Sequence, residues 1–218
     1  MYRYHAEAKQ LKEQHLPYPQ PWEFVYESFF KNTRNGFFVD VGASDGICCS
    51  NTSLLEFHLG WNGVCIEPNI TQYEQLIKNR GCNTYNICIG DEDSTKEFWE
   101  IHGDSYALSG LYEAYDSRHI ERIKKEGDLV ISKEIEVKKL STLMNELNIN
   151  HIDYLSIDVE GAELQVLKGI DFGKCLIDVM SIEDNGYSNA NSIIELLATH
   201  KFDYITKVCA DMIFKKRL

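Results

Sequence analysis

Phe37-Phe38-Val39-Asp40-Val41-Gly42-Ala43-Ser44-Asp45-Gly46 is the stretch that decides the fold of this chain. A short apolar run stops at a glycine-rich turn. That pattern predicts a buried parallel strand that delivers the backbone into a ligand-facing loop. Glycine at 42 and 46 lets the chain turn sharply and approach a ligand without a Cβ. The spacing is Gly-x-x-x-Gly. It is not the Gly-x-Gly-x-x-Gly of dinucleotide binders, and no Gly-Lys-Ser/Thr follows to make a P-loop. Asp40 and Asp45 place negative charge where a phosphate would be repelled. The loop suits a ligand with a cationic part better than a pyrophosphate.

Working outward, strands alternate with helices. Helical spacing over 50–59 leads to a second buried strand, Gly63 to Glu67, and a helix over 70–79. Asn83 to Ile89 reads as a third strand, stopped by Gly90-Asp91. The alternation then loosens, and 91–128 reads as an insertion over one edge of the domain. It contains a strand at Phe98 to Ile101 and an amphipathic helix over 111–126. Val130 to Val137 alternates as a strand, and Leu140 to Leu147 is helical. Ile152 to Asp158 is a fourth core strand, Ala162 to Leu167 a helix and Cys175 to Glu183 a fifth strand. A helix over 192–200 precedes strands at 202–205 and 208–214. Their short link requires an antiparallel hairpin, since a parallel crossover takes a dozen or more residues. Upstream, 22–31 is one apolar helix face, preceded by an extended lead-in at Pro17, Pro19 and Pro21 and a helix-permissive polar stretch over 1–16.

This order predicts a doubly wound, mostly parallel α/β sheet with an antiparallel C-terminal hairpin. Ligands bind such sheets at the strand C-termini, beside the topological switch point. The 218 residues accommodate one domain over 36–218 behind a helical lead-in over 1–35.

Composition narrows the function. The net charge of -12 disfavours nucleic acid and polybasic membrane surfaces as partners. Seven cysteines with no C-x-x-C pair read as reduced thiols in a cytoplasmic protein, not as a disulfide framework or a zinc site. The N-terminus carries no apolar signal region, and no run approaches the ~20 residues of a membrane span. The Asn-x-Thr/Ser matches at Asn51 and Asn69 are then fortuitous.

Acidic residues recur at the predicted strand ends. Glu67 is placed to accept both hydroxyls of a ribose, and Pro68-Asn69 to wall a planar base. Asp91, after Gly90, is placed to accept from an adenine amino group; an acidic solvated turn reads equally well there. Asp158 and Glu160 follow a strand that is otherwise core, where unpaired carboxylates are costly, so they should face a ligand, a metal or water. Glu163 fits helix N-terminal electrostatics. Glu183-Asp184-Asn185-Gly186 closes the fifth strand. With Asp158, Glu183 and Asp184 make an oxygen-rich set for a hard cation such as Mg²⁺, the alternative being a solvated Asn-Gly turn. His102 and His119, in the insertion, are candidate general bases or plain structural histidines. No Gly-x-Ser-x-Gly elbow marks a serine nucleophile.

Taken together, the residues resemble the FkbM-type family of S-adenosylmethionine-dependent methyltransferases. Gly36 to Gly46, Ser50 to Glu56, Gly60 to Asn69, Asn79-Arg80, Ile157 to Glu163 and Val166 to Gly169 carry the likeness. The resemblance implies a class I methyltransferase fold, seven strands with the last antiparallel. It implies S-adenosylmethionine contacts from Asp40, Gly42, Ala43, Ser44, Asp45 and Gly46, from Asn51, Glu67, Pro68 and Asn69, and from Gly90 and Asp91. It implies O-methylation, often of a sugar or glycan hydroxyl; Asp158 and Glu160, by their place after the fourth strand, are the candidate catalytic carboxylates. Related sugar methyltransferases hold a divalent metal on acids matching Asp158, Glu183 and Asp184. Some of them carry a basic residue where this chain has Gly161. A non-sugar natural-product hydroxyl, a non-catalytic cofactor-binding module and a nicotinamide oxidoreductase are the rival readings. Acceptor recognition falls to the lead-in, the insertion or an oligomer partner.

Overall fold

A computed structural model describes residues 20–184, 186 and 190–217. The polar stretch 1–16, Pro17, Pro19 and Asn185 lie outside them. The central strand is β1 (Phe37–Val41). It lies between β2 (Asn62–Ile66) and β8 (His151–Ile157), parallel to both. Covered on both faces, it is the near-continuous apolar run the sequence shows. Beyond β2 lies β3 (Asn83–Tyr85); beyond β8 lie β9 (Leu176–Glu183), β11 (Asp211–Lys216) and β10 (Phe202–Val208). This seven-stranded sheet is parallel except at β11, which runs antiparallel to both β9 and β10. The chain leaves β1 first toward β2 and later toward β8, so the switch point lies beside β1.

Helices cover both faces. On one, α5 (Leu140–Glu146), α6 (Glu163–Lys168) and α7 (Ala190–Thr199) bury Leu143, Val166 and Leu197 against Val39, Leu155 and Met180. On the other, α1 (Pro21–Val25) continues as one wide turn over Tyr26–Phe30. With α2 (Ser53–Leu59) and α3 (Ile70–Asn79) it encloses Phe38, Leu76 and Tyr154. Phe30 meets Trp61 edge-on at 4.9 Å. Each such buried side chain contributes about 1.5–3 kcal/mol. Pro21 starts the helix instead of extending the chain, because its missing N–H costs nothing in a first turn. The lead-in is therefore packed into the domain from Pro21 onward.

Three expectations are corrected. The strand expected at 83–89 is two strands. Asn86 leaves the ladder to donate its side-chain amide to the carbonyls of Glu67 and Pro68, at 2.8 and 3.0 Å. After it, β4 (Cys88–Gly90) joins a second sheet, in the order β4, β7 (Leu129–Lys139), β5 (Ser94–His102), β6 (Gly110–Leu111). The insertion thus runs on through Lys139, because β7 is the partner of β5 along its whole length. The helix expected over 111–126 is α4 (Ser117–Glu126). Leu111 is taken by β6, and Asp116 caps the helix by accepting from the His119 N–H at 2.9 Å. No described helix is long and apolar enough to cross a membrane.

Candidate active site

A cleft open to solvent lies at the C-terminal ends of β1, β2 and β8. Its floor is the glycine loop. Gly42 and Ala43 donate their N–H groups to the Ile66 carbonyl at 2.9 and 3.0 Å. Gly42 has φ +87°, and a Cβ there would stand 1.7 Å from the Asp158 carbonyl oxygen. Only glycine fits between the two strand ends. The Ser44 N–H donates to Glu67 Oε2 at 2.8 Å, and the Asn69 N–H to Glu67 Oε1 at 2.7 Å. Burial pushes the Glu67 carboxyl up to about 7, against the pull of those two N–H groups. Each oxygen keeps a further lone pair. Above Glu67 the wall is apolar, with Ile87, Cys88, Phe98 and Leu111. Among the described residues, no Lys, Arg or His lines the cleft.

The other end of the cleft is acidic. One oxygen each of Asp158, Glu160 and Glu183 lie within 4.8 Å of one another. Glu160 takes the left-handed conformation, φ +55°, before Gly161 at +109°. Glu163, 2% exposed, holds that turn by accepting from the N–H groups of Val159 and Gly161 at 3.3 and 3.0 Å. Removal from bulk water, then the charge of Asp158, lifts Glu160 to about 8. Removal from water also lifts Glu183, to about 7, with Glu160 and Glu163 adding to it. Asp158 is held well above the usual carboxylate range by the protein around it and by Glu183, although its surface opens into the cleft. The buried His119 packs against Tyr115 with the rings tilted by 44° and their centroids 4.5 Å apart, its Nε2 3.7 Å from Glu160 Oε2. Burial lowers its pKa, with Arg122 adding to the effect.

The description "Methyltransferase FkbM domain" fits residues 40–205, a span that includes the glycine loop, Glu67 and both acidic strand ends. This chain belongs to the FkbM methyltransferase family. The AMB antimetabolite synthetase AmbE of Pseudomonas aeruginosa is 24% identical over 154 residues, 67% of this chain. The chain spans about 7% of that protein's length. Among solved structures, the methyltransferase FkbM of Methylobacillus flagellatus shares 13% identity, with a TM-score of 0.48. The likeness covers 89% of this chain and 48% of that one. A TehB-like SAM-dependent methyltransferase of Corynebacterium glutamicum shares 9% identity over 99% of this chain and 97% of its own, with a TM-score of 0.49.

Within this FkbM-family chain, Gly42, Ser44, Glu67, Pro68, Asp158 and Glu160 meet in the cleft. Several expected site residues do not line it. Asp40 lies beneath the loop, buried, and accepts from the Thr52 hydroxyl at 2.6 Å. Ala43 is buried in the core, and Asp45 caps its own turn by accepting from the Ile47 and Cys48 N–H groups. Gly46 gives its carbonyl to Arg80 at 3.1 Å, and Asn79 donates to the Asp45 carbonyl at 2.8 Å. The Asn79-Arg80 pair thereby clamps the loop from below. Asn51 donates to Ser156 Oγ and Asp211 Oδ2, at 3.2 and 2.9 Å, away from the cleft lining. Asn69 caps α3 and ties the insertion down through the Ile101 carbonyl and Ser109 Oγ. Gly90 packs its carbonyl where a Gly169 side chain would be, and Asp91 pairs with Lys96 at 3.7 Å.

Asp184 is the main correction to the acidic set. Glu183 ends β9 and turns to Asp158, while Asp184, just past the strand, reaches Lys207 at 2.8 Å and accepts from the Gly186 N–H at 3.1 Å. Glu160 stands in the place expected for Asp184. His102 sits 2.8 Å from Glu100 and does not line the cleft. Sequence reasoning missed Gln72, in the first turn of α3, and Tyr106, Ser109 and Leu111 of the insertion. The small polar residues flanking Tyr106 were a turn signal that could have pointed there.

Proposed function

We propose that this protein is an S-adenosylmethionine-dependent O-methyltransferase acting on a sugar or glycan hydroxyl. The observation that carries the reading is one cleft with two unlike ends. Glu67 stands under an apolar wall at one end, and the carboxylates of Asp158 and Glu160 stand at the other. The cofactor fits the first end. The free lone pairs of Glu67 suit a ribose diol, and Ile87, Cys88 and Leu111 suit a planar base. The acidic Glu67, Asp158 and Glu160 of the lining, with no cation beside them among the described residues, disfavour a pyrophosphate, which argues against a nicotinamide oxidoreductase. When bound, S-adenosylmethionine supplies an electrophilic methyl group on a sulfonium.

The chain's own residues do the rest. The glycine loop and the Glu67 brace fix the cofactor end before binding, so little order is lost there. One carboxylate of the Asp158–Glu160 pair takes the single proton of the acceptor hydroxyl as its oxygen bonds the methyl carbon, and the electrons of the broken S–C bond stay on sulfur, which leaves as a neutral thioether. A carboxyl raised to about 8 is a stronger base, once ionised, than an ordinary one. Glu163 holds Glu160 at the reacting edge through the turn it braces. An acidic lining favours a neutral, hydroxyl-bearing acceptor over an anionic one. The Pseudomonas relative's name, an antimetabolite synthetase, favours a second acceptor class, a non-sugar natural-product hydroxyl.

The convergence of Asp158, Glu160 and Glu183 also suits a hard divalent cation such as Mg²⁺. The donors are all oxygen, and Glu160 Oε2 is buried without a hydrogen bond. Such an ion would lower the pKa of an acceptor hydroxyl. The test is mass spectrometry of glycans from source cells with and without the gene. One missing methyl group supports the reading, and unchanged glycans with a methylated small molecule select the second acceptor class. Activity unchanged in excess EDTA removes the ion.

A further inference from the structure

We propose that His151, Asp153 and Asp178 form a second divalent-metal site, at the end of the main sheet opposite the cleft. One ligand atom from each lies within 4.8 Å of the others. Metal–ligand bonds of about 2.0–2.2 Å put neighbouring ligand atoms roughly 3–4.4 Å apart, so one ion can reach all three. The placement follows from the strands. His151 and Asp153 are two apart on β8 and share a face. The pairs Ile152↔Ile177 and Tyr154↔Val179 put Asp153 directly opposite Asp178 on β9. Like charges directly opposite in neighbouring strands are destabilising unless a cation lies between them.

The surroundings suit a ligand set. The Phe37 N–H donates to Asp153 Oδ2 at 2.7 Å and fixes that carboxylate, as outer-sphere hydrogen bonds do at metal centres. His151 Nε2 lies 3.2 Å from Asp178 Oδ2. The His151 and Asp178 side chains are 43% and 31% exposed, which leaves room for water to complete the coordination. One imidazole with two carboxylates selects a borderline first-row ion such as Zn²⁺ over Mg²⁺. From His151 to Asp158 the strand climbs seven residues, roughly 23 Å. An ion held there cannot touch the reacting atoms. Its effect is to staple β8 to β9, with Phe37 at the start of β1 held through Asp153.

The full chain is titrated with Zn²⁺ alone and with Mg²⁺ alone, by calorimetry and thermal unfolding. Wild type and Asp158→Asn are expected to bind one zinc at this site. Tm should rise by roughly 5–10 °C at a hundredfold excess over Kd, and Mg²⁺ should not reproduce the shift. His151→Ala, at an exposed position, and Asp178→Asn, at a half-buried one, should each weaken that zinc by at least roughly tenfold while leaving the metal-free Tm near wild type. The proposal is overturned if wild type takes up no zinc. It is overturned equally if both variants bind zinc as wild type does, or if the zinc is lost in a Cys48→Ser, Cys49→Ser variant instead.

Discussion

The two ends of the cleft solve opposite problems with the same functional group. At the Glu67 end a buried carboxylate is answered by backbone N–H groups from Ser44 and Asn69. At the other end Asp158, Glu160 and Glu183 crowd together, and each is pushed toward its protonated form. The first arrangement is complete as it stands and makes a rigid shelf. The second carries a standing electrostatic cost that a cation or a proton relieves. A carboxylate satisfied by the backbone is suited to binding, and one crowded by its own kind is suited to moving a proton.

The joint between the two ends is Gly42, and breaking it gives the largest effect. Gly42→Ala puts a methyl group against the Asp158 carbonyl and forces a positive φ on alanine. A cost above about 4 kcal/mol is expected, read as loss of soluble, cooperatively unfolding protein. A soluble variant of wild-type Tm would show that the strand ends are not in contact.

Asp158→Asn breaks the acidic end alone. Turnover should fall roughly 10²–10⁴-fold, while the KM for the cofactor stays near wild type. A variant with full turnover on its true acceptor would remove Asp158 from the chemistry.

Much of this comparison was readable before any coordinates. Phe37 to Val41 is apolar because β1 is covered on both faces, and that announced the sheet and its switch point. Glu67 and Asp158 were legible because an acid that ends an apolar strand has few places to go. Other assignments needed the third dimension. Nothing in the spacing says that Asp40 bonds to Thr52 beneath the loop, because it has the same one-letter code as an acid above it. Glu183 ends β9 and turns to Asp158, while its neighbour Asp184, just past the strand, pairs with Lys207, so the set could not be chosen by proximity along the chain. Asn86 splits a strand through side-chain bonds to carbonyls that no periodicity records. Tyr106 and Ser109 reach the cleft only because the second sheet folds back over it.

Burial of these carboxyls, common to both ends of the cleft, also leaves a smaller mark on stability. Glu67 and Glu160 titrate in the native state at about 7 and 8, against 4.5 for the ordinary group. The native protein keeps protons that the unfolded chain releases, so their stabilisation is complete below about pH 4.5 and is lost as pH rises through 7 to 8. In chelator, Tm should fall between pH 5.5 and 8.5, and Glu160→Gln should make that fall shallower. A Tm that climbs over this range would contradict the burial of these carboxyls.

Titration calorimetry of S-adenosylmethionine onto wild type, Glu67→Gln and Asp158→Asn tests the division of the cleft most directly. Saturable binding to wild type is expected. Glu67→Gln should weaken it roughly 10–100-fold, through loss of charge-assisted bonds of about 1.5–3 kcal/mol. Asp158→Asn should bind within roughly threefold of wild type, because the proposal assigns the ribose and base to the Glu67 end. Binding of NADP⁺ in place of S-adenosylmethionine, or equal losses in the two variants, would contradict the account.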